Sequence, residues 1–156
     1  MSRLIRVAIV DPHDVFRRAL EELLASETEL RATTFTDPVA MTATDRLGSF
    51  AVVLADERSL GASSGTARSA LADVARRTTV VVMGMREHDY YADAAIDGGA
   101  VGYWPKFGEI DALLALIRAA GLVTEVRRER VASRARTGGS RSANQAANAS
   151  SASCQA

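Results

Sequence analysis

The sequence predicts an α/β fold in which helices cover both faces of a parallel sheet. Over the first 120 residues, short apolar runs rich in β-branched residues alternate with segments whose apolar residues recur at helical spacing. This alternation is typical of strand–helix units, whose right-handed crossovers put helices on both faces of the sheet. The apolar residues within each run are continuous, as expected for strands buried on both sides.

Five strands and five helices are predicted. The strands are the apolar runs Leu4–Val10, Arg31–Phe35, Ala51–Ala55, Thr79–Met83 and Val101–Trp104. The first helix is indicated by residues that share one helical face, namely Phe16, Leu20, Leu23 and Leu24. The later helices are indicated by similar sets: a weaker one of Met41 and Leu47, then Ala67, Ala70, Leu71 and Val74, then Tyr91, Ala95 and Ile96, and finally Ile110, Leu113, Leu114 and Ile117.

The charge distribution divides the chain into a folded part and a basic end. Residues 1–124 carry 13 basic and 17 acidic side chains, whereas residues 125–156 carry six basic and two acidic ones. We assign residues 1–122 to a folded domain and residues 123–136 to a basic linker or short helix. Residues 137–156 contain no large hydrophobe. Burial cannot offset their ordering entropy, so this tail is predicted to be disordered.

The overall composition narrows the function classes. The chain has 19 basic and 19 acidic residues, so its net charge gives no sign of a polyanionic partner. The arginines near its end lack interleaved aromatic residues, and nucleic-acid binding by this chain alone is not expected. The single cysteine, Cys154, cannot form an intramolecular disulfide. No apolar run reaches the roughly 18 residues of a membrane span, and Arg6 interrupts the first one, so we expect a cytoplasmic protein without membrane association.

Charged side chains follow three of the predicted strands. Asp11 ends the first strand, Asp56 ends the third, and Lys106 follows the fifth. The carboxyl ends of parallel strands meet at one edge of the sheet, so these groups are expected to share a pocket. Two carboxylates and an ammonium group can hold a divalent cation and a phosphoryl group. Oxygen ligands suit Mg²⁺, and a carboxylate can be the nucleophile that forms an acyl phosphate.

Three segments carry a resemblance to a known family. The segments IVDPHDVFRRAL, AVVLADERSLG and GGAVGYWPK resemble the receiver domain of bacterial response regulators, most closely those of the NarL/LuxR type. The resemblance extends over residues 3–120. The resemblance implies a flavodoxin-like (CheY-like) doubly wound sheet of five strands in the order 2-1-3-4-5. It also implies phosphotransfer from a histidine kinase to an aspartate, which switches a two-state protein surface.

The resemblance also implies roles for particular residues. Asp56 matches the phosphoacceptor, and Lys106 matches the lysine that contacts the phosphoryl group. Asp11, Asp56 and the backbone carbonyl of Arg58 match ligands of the metal ion. Tyr103 matches the aromatic switch residue on the fifth strand.

The sequence departs from the family pattern at several positions. The second acid after the first strand is replaced by Pro12, which leaves at most a weak Mg²⁺ site. The Thr or Ser at the end of the fourth strand is replaced by Gly84. Loss of that hydroxyl removes a charge-assisted hydrogen bond of about 1.5–3 kcal/mol. It also removes the side chain whose movement operates the switch in the family. A proline of the family is replaced by Leu60, and Phe107 follows the lysine. We therefore expect an atypical receiver whose phosphorylation switching is impaired or absent.

Simpler interpretations remain open for the same residues. Asp11 can be the N-cap of the first helix, with Pro12 at its first position. Asp14 can stand in for the missing acid. Gly84 can let the backbone or a ligand approach closely, and Arg58 can form an ion pair with Asp56. The remaining polar and aromatic candidates are expected to have no role in the site: His13 and His88 as solvated loop residues, and Tyr90 and Tyr91 as helix surface and core edge.

The expected function is signalling by contact with another protein, either a histidine kinase or another regulator. The resemblance also implies homodimerisation through a surface formed by Tyr103, Ile110, Leu113, Leu114 and Ile117. An enzyme is not expected, because no Gly-rich phosphate loop or Ser/His/Asp arrangement is present. Two alternatives remain: a stand-alone response regulator phosphorylated on Asp56 in a phosphorelay, and a DNA-binding transcriptional regulator that lacks its own effector domain.

Overall fold

The structure is a computed structural model that describes residues 4–44, 47–59, 67–86 and 89–150, without the side chains of residues 67–70 and 137–150. Its strands are β1 (Ile5–Val10), β2 (Leu30–Phe35), β3 (Val52–Asp56), β4 (Thr79–Gly84) and β5 (Gly102–Pro105). Each begins and ends within one residue of its predicted run. The predicted residues Leu60 and His88 lie outside the described residues.

The five strands form one parallel sheet in the order β2-β1-β3-β4-β5, which confirms the predicted fold. Val10 at the end of β1 lies beside Ala55, and Asp56 at the end of β3 lies beside Met83. In the sheet, β2 lies on one side of β1 and β3 lies on the other, so the direction in which strands are added reverses at β1. The carboxyl ends of β1 and β3 therefore form the switch point at which doubly wound sheets bind their ligands.

The helices follow the strands in order. They are α1 (Asp14–Ala25), α2 (Pro38–Thr42), α3 (Ala67–Arg77), α4 (Asp89–Asp97) and α5 (Ile110–Ser150), with a 3-10 turn at Leu47–Ser49. Met41 and Leu47, which indicate the weak second helix, lie in two separate elements: Met41 in α2 and Leu47 in the 3-10 turn. Asp37 caps α2 by accepting a hydrogen bond from Ala40 at 2.8 Å. Met41 and Leu47 are nevertheless both buried, so the predicted apolar pair does reach the core.

Two hydrophobic layers cover the sheet. On one face, Val53, Val80 and Val82 pack with Met41, Phe50 and Leu71. On the other face, strand residues pack against α1 and α5, among them Val7, Ile9, Leu54, Leu20, Leu24, Leu113 and Ile117. Every residue of β3 and β4 is buried, as expected of central parallel strands.

Helix α5 differs from the prediction in two ways. Leu113, Leu114 and Ile117 were expected at a dimer surface, but they are at most 6% exposed because the apolar stripe of α5 packs on the sheet. Of the helix residues expected at that surface, only Ile110 is exposed. Residues 123–136, predicted as a basic linker or short helix, are part of α5, since an existing helix extends at little cost through Ala, Arg and Glu.

The boundary of the folded unit lies inside the same helix. The chain separates into two compact units, residues 1–124 and residues 125–156. The backbone of residues 137–150 continues as helix where composition predicts disorder, and residues 151–156 lie outside the described residues. Among the described helices, none is both long enough and apolar enough to cross a membrane.

A buried chain of hydrogen bonds joins α5 to the start of β4. The Thr124 hydroxyl donates to the Ala51 carbonyl at 2.5 Å and lies 2.5 Å from the Thr79 hydroxyl. We expect Thr124→Val to lower the free energy of unfolding by about 1–3 kcal/mol, measured by urea denaturation, because both partners lose a hydrogen bond in a buried site. The control Thr33→Val alters an exposed strand residue and should cost less than about 0.5 kcal/mol. Equal stability of the two variants would contradict this.

Candidate functional site at the carboxyl edge of the sheet

Asp11, Asp56 and Lys106 meet at the carboxyl edge of the sheet. The Lys106 ammonium lies 2.5 Å from an oxygen of each carboxylate, and all three side chains are at most 5% exposed. The Lys106 backbone N–H donates to the Gly84 carbonyl at 2.8 Å, which fixes the loop after β5 against the end of β4. The structure thus brings together the three residues that the sequence places at strand ends.

The charges in this cluster do not balance. One ammonium serves two carboxylates, so the buried group carries a net charge of about −1. The ammonium offsets a repulsion between carboxylates that low-dielectric surroundings would otherwise strengthen. A cation that entered here would find a residual negative charge. The ammonium also lies 4.5 Å from the centre of the Phe16 ring, which adds a cation–π contact.

His13 belongs to this cluster, although the sequence predicts a solvated loop residue. Its backbone N–H donates to Asp11 Oδ1 at 2.8 Å, and its ring Nδ1 lies 3.0 Å from the same oxygen. His13, and not Asp11, occupies the N-cap position of α1. The N-cap interpretation of Asp11 is therefore wrong, because its side chain turns back into the pocket. The two-residue spacing of Asp11 and His13 is the sequence signal for this contact.

Asp14 does not replace the missing second acid. Its carboxylate pairs with Arg17 at 2.6 Å and with Arg18 at 3.0 Å along α1. Arg17 is 9% exposed and also donates to the Asp11 carbonyl at 2.6 Å. The sequence analysis missed Arg17, which ties the start of α1 to the loop that carries Asp11.

The turn after β3 fixes the Asp56 carboxylate. Asp56 Oδ1 accepts the backbone N–H of Arg58 at 2.9 Å, and the Asp56 carbonyl accepts that of Ser59 at 3.0 Å. The Arg58 side chain is exposed, and among the described ion pairs none joins it to Asp56. The alternative of an Arg58–Asp56 ion pair is therefore not supported by the described contacts. The Arg58 carbonyl as a metal ligand stays a prediction.

A cavity of about 530 Å³ opens beside the charged cluster, and much of its wall is apolar. It is lined by Asp56 and Lys106 together with His13, Val15, Phe16, Ala19, Glu57, Arg58 and Met85. Val15 is 83% exposed and Met85 is 61% exposed. These two large apolar side chains are therefore open to solvent beside the charged pocket.

Gly84 leaves a space that other residues fill. A Cβ atom at this position would collide with the Tyr103 hydroxyl and with the Glu57 carboxylate. The Tyr103 hydroxyl donates to the Arg86 carbonyl at 2.8 Å and lies 3.3 Å from Glu57 Oε2. Burial, followed by the nearby Glu57 charge, raises the pKa of Tyr103 to about 12. Tyr103 thus remains a protonated donor whose hydroxyl lies beside Gly84, and Glu57 is a site residue that the sequence analysis missed.

The other aromatic candidates lie outside this cluster. Tyr90 is 68% exposed and Phe107 is 55% exposed. Tyr91 stacks under the Arg86 guanidinium, whose carbon lies 4.6 Å from the ring centre. These positions agree with helix surface and core edge for the two tyrosines.

Comparison with solved structures identifies the fold. Residues of this chain superpose on the receiver domain of a Clostridium thermocellum response regulator with a TM-score of 0.66 and 18% identity, covering 79% of this chain and 98% of the other. The chain has the receiver-domain fold. The receiver domain of NarL from Mycobacterium tuberculosis matches with a TM-score of 0.60 and 21% identity, covering 74% of this chain and 98% of the other.

A third structural neighbour carries a description of a different kind. A pilus assembly-related protein from Burkholderia pseudomallei matches with a TM-score of 0.66 and 16% identity, covering 78% of this chain and 92% of the other. No family model matches the sequence, and a search of curated proteins finds no match. At these identities the comparisons establish the fold of the receiver-like unit.

Receiver domains bind Mg²⁺ at an acidic pocket, and the residues present here fit that ion only in part. Asp11, His13 and Asp56 each place one ligand atom so that the three atoms lie within 4.8 Å of one another. Two of these atoms are carboxylate oxygens, which suit Mg²⁺. The third is an imidazole nitrogen, and the exposed Pro12 offers no side-chain ligand. The cluster can hold a divalent cation, but its donor set is not the all-oxygen set that Mg²⁺ favours.

Proposed function

We propose that this protein is an atypical receiver of a two-component type of signalling system. It acts by contact with another protein, and its phosphorylation switching is impaired or absent. The observation that carries the proposal is the space beside Gly84, which the Tyr103 hydroxyl and the Glu57 carboxylate occupy. A hydroxyl at that strand end would otherwise bond to a phosphoryl oxygen.

The position of Tyr103 supports the proposal because it is already fixed without phosphate. Its hydroxyl is bonded to the Arg86 carbonyl and faces Glu57. In the family that this chain resembles, the aromatic switch turns inward when the hydroxyl at the end of the fourth strand follows the phosphoryl group. Gly84 has no hydroxyl, so a phosphoryl group on Asp56 would have no side chain at this position that could move Tyr103.

The charge of Glu57 adds to this argument. Its carboxylate occupies the space that the family reserves for an uncharged hydroxyl, beside the phosphoacceptor position. Glu57 lines the same cavity as Asp56, so a dianionic phosphoryl group on Asp56 would share that cavity with a like charge as well as with the cations Lys106 and Arg58. The missing hydroxyl at Gly84 and the nearby charge of Glu57 both disfavour the phosphorylated state.

The partner surface follows from the exposed apolar residues near the pocket. Val15 and Met85 line its cavity, Phe107 follows Lys106, and Ile110 begins α5. A histidine kinase or another regulator would bury these side chains on contact. We propose a cytoplasmic protein with no enzymatic activity of its own.

Titration with beryllofluoride, a phosphoryl mimic, tests this function. The reporter is Trp104, which is 2% exposed, donates to the Glu109 carbonyl at 3.2 Å and lies two residues before Lys106. With the full chain in millimolar Mg²⁺, we expect no saturable change in Trp104 fluorescence. A saturable change that is lost in Asp56→Asn would overturn the proposal. Circular dichroism of both proteins confirms that each is folded.

That second outcome would favour the other candidate, a phosphorylatable response regulator. Its supporting observation is the Asp56 carboxylate, which is buried and lies 2.5 Å from the Lys106 ammonium. This pair is the part of the pocket that phosphotransfer needs most, because the ammonium can stabilise charge on the phosphoryl oxygens.

A further inference from the structure

We propose that the basic segment of α5, residues 125–136, binds the phosphate backbone of double-stranded DNA without regard to base sequence. The contact is made by the helix face that carries Arg127, Arg130 and Arg134, called here the arginine face. This face belongs to the second compact unit, residues 125–156, and not to the pocket at the carboxyl edge of the sheet. The inference therefore goes beyond the proposed function and does not depend on it.

The geometry of the helix collects three arginines on a face that has no acid. Residues three, four and seven positions apart lie on the same side of an α-helix. Arg127, Arg130 and Arg134 have this spacing, so they lie within about 60° of one another around the helix axis. The two acids of the segment, Glu125 and Glu129, lie on the other side of the axis. Within this segment, no carboxylate offsets the three positive charges of the arginine face.

The opposite face of the segment is balanced in charge. It carries Arg128 and Arg136 together with Glu125 and Glu129. The segment has five arginines and two glutamates, so its net charge is +3, and this excess lies on the arginine face. The sequence pattern alone did not favour nucleic-acid binding, because it shows arginines without interleaved aromatic residues. The helix adds the separation of the charges, which composition does not reveal.

The arginine face is open to solvent and has the dimensions of a DNA groove. Arg127, Arg130 and Arg134 are all exposed. The seven residues from the first to the last of them rise by about 10.5 Å, over which one strand of DNA presents about three phosphates. An α-helix is about 10–12 Å across, and the major groove is about 12 Å wide. Each guanidinium can donate two parallel hydrogen bonds to one phosphate.

The other residues of the segment favour duplex DNA over other polyanions. The large hydrophobic residues among residues 125–136 are Val126 and Val131. Two valines do not form the broad apolar face with which a basic helix enters a membrane interface. The segment also contains no aromatic residue on which the bases of a single strand could stack. Double-stranded RNA fits poorly, because its major groove is deep and narrow.

The test is a binding titration of the full chain against a fluorescently labelled duplex of mixed sequence and about 20 base pairs, two turns of DNA. Fluorescence anisotropy measures the affinity at salt concentrations from about 50 to about 200 mM. The probe variant combines Arg130→Gln with Arg134→Gln. The matched control combines Arg128→Gln with Arg136→Gln, which removes the same charge from the opposite face. Glutamine and arginine have similar helix propensities, and circular dichroism checks that helix content is equal.

We expect the parent to bind the duplex with a dissociation constant in the micromolar range, as is usual for contacts with the backbone alone. Three phosphate contacts predict that its affinity falls about 40-fold from about 50 to about 200 mM salt. The probe variant retains one contact and should lose about 3.5-fold over the same interval, whereas the control should behave like the parent. Arg130→Lys combined with Arg134→Lys keeps both charges and should keep the salt dependence of the parent.

Three results would each overturn the inference. The first is an equal salt dependence in the probe and control variants, which would mean that net charge acts without the arginine face. The second is tighter binding to single-stranded DNA, to polyglutamate or to vesicles of phosphatidylserine than to the duplex. The third is no anisotropy change with the parent at about 50 mM salt. These readouts use no phosphoryl mimic and leave Asp56 unchanged, so their failure is distinct from failure of the proposed function.

Discussion

Substitution of Gly84 by threonine is expected to lower the pKa of Tyr103 from about 12 toward the ordinary tyrosine value of about 10. The new Cβ would occupy the space of the Tyr103 hydroxyl and the Glu57 carboxylate. Both groups are the far ends of flexible side chains, so they move and the backbone does not. Once released, the phenol loses the burial and the negative neighbour that raise its pKa.

The measurement is an ultraviolet titration of tyrosine ionisation. The chain has three tyrosines, so Tyr90→Phe and Tyr91→Phe in the background leave Tyr103 as the reporter. Gly84→Ala should lower the pKa in the same way, because its Cβ alone displaces the hydroxyl. The control is Gly48→Ala, since a Cβ there would meet nothing within 4 Å. A midpoint that stays near 12 in Gly84→Thr would show that Tyr103 had not moved.

The same substitution should change the dependence of stability on pH. Because its folded-state pKa is raised, Tyr103 stabilises the fold below about pH 10, and that contribution is lost as the pH rises from about 10 to about 12. Gly84→Thr brings the folded and unfolded pKa values together and so removes this decline. Urea denaturation at pH values across that interval measures the difference between parent and variant.

The fold and the three charged residues of the site could be predicted because they depend on local patterns. Continuous apolar runs specify buried strands, and parallel strands end at the same edge, so Asp11, Asp56 and Lys106 had to meet. The contact between Glu57 and Tyr103 could not be predicted in this way. These residues are 46 positions apart, and they meet only because Gly84 on the strand between them lacks a side chain.

Helix α5 shows a second limit of sequence patterns. Its spacing reveals an apolar stripe, but the stripe does not say whether the sheet or another protein covers it. The sheet covers Leu113, Leu114 and Ile117 here. His13 shows a third limit, because its two-residue spacing from Asp11 allows this contact but does not say whether the ring turns toward the carboxylate or into solvent.

The second large effect is expected at Lys106. In Lys106→Met, the Asp11 and Asp56 carboxylates remain buried together without the ammonium that lies 2.5 Å from each. Methionine retains an unbranched side chain of similar length but loses the charge, and with it the cation–π contact with Phe16. Removing one partner from a buried ion cluster strongly destabilises a protein, and we expect a loss of about 3 kcal/mol in the free energy of unfolding at neutral pH.

A double variant separates charge from packing. Lys106→Met combined with Asp56→Asn leaves one buried carboxylate, and it should recover most of the lost stability because the like-charge repulsion is gone. The control Arg58→Met removes an exposed cation from the rim of the same cavity and should cost less than about 0.5 kcal/mol. Urea denaturation measures all three. If the double variant were no more stable than Lys106→Met alone, lost packing of the lysine chain, and not the unbalanced carboxylates, would account for the destabilisation.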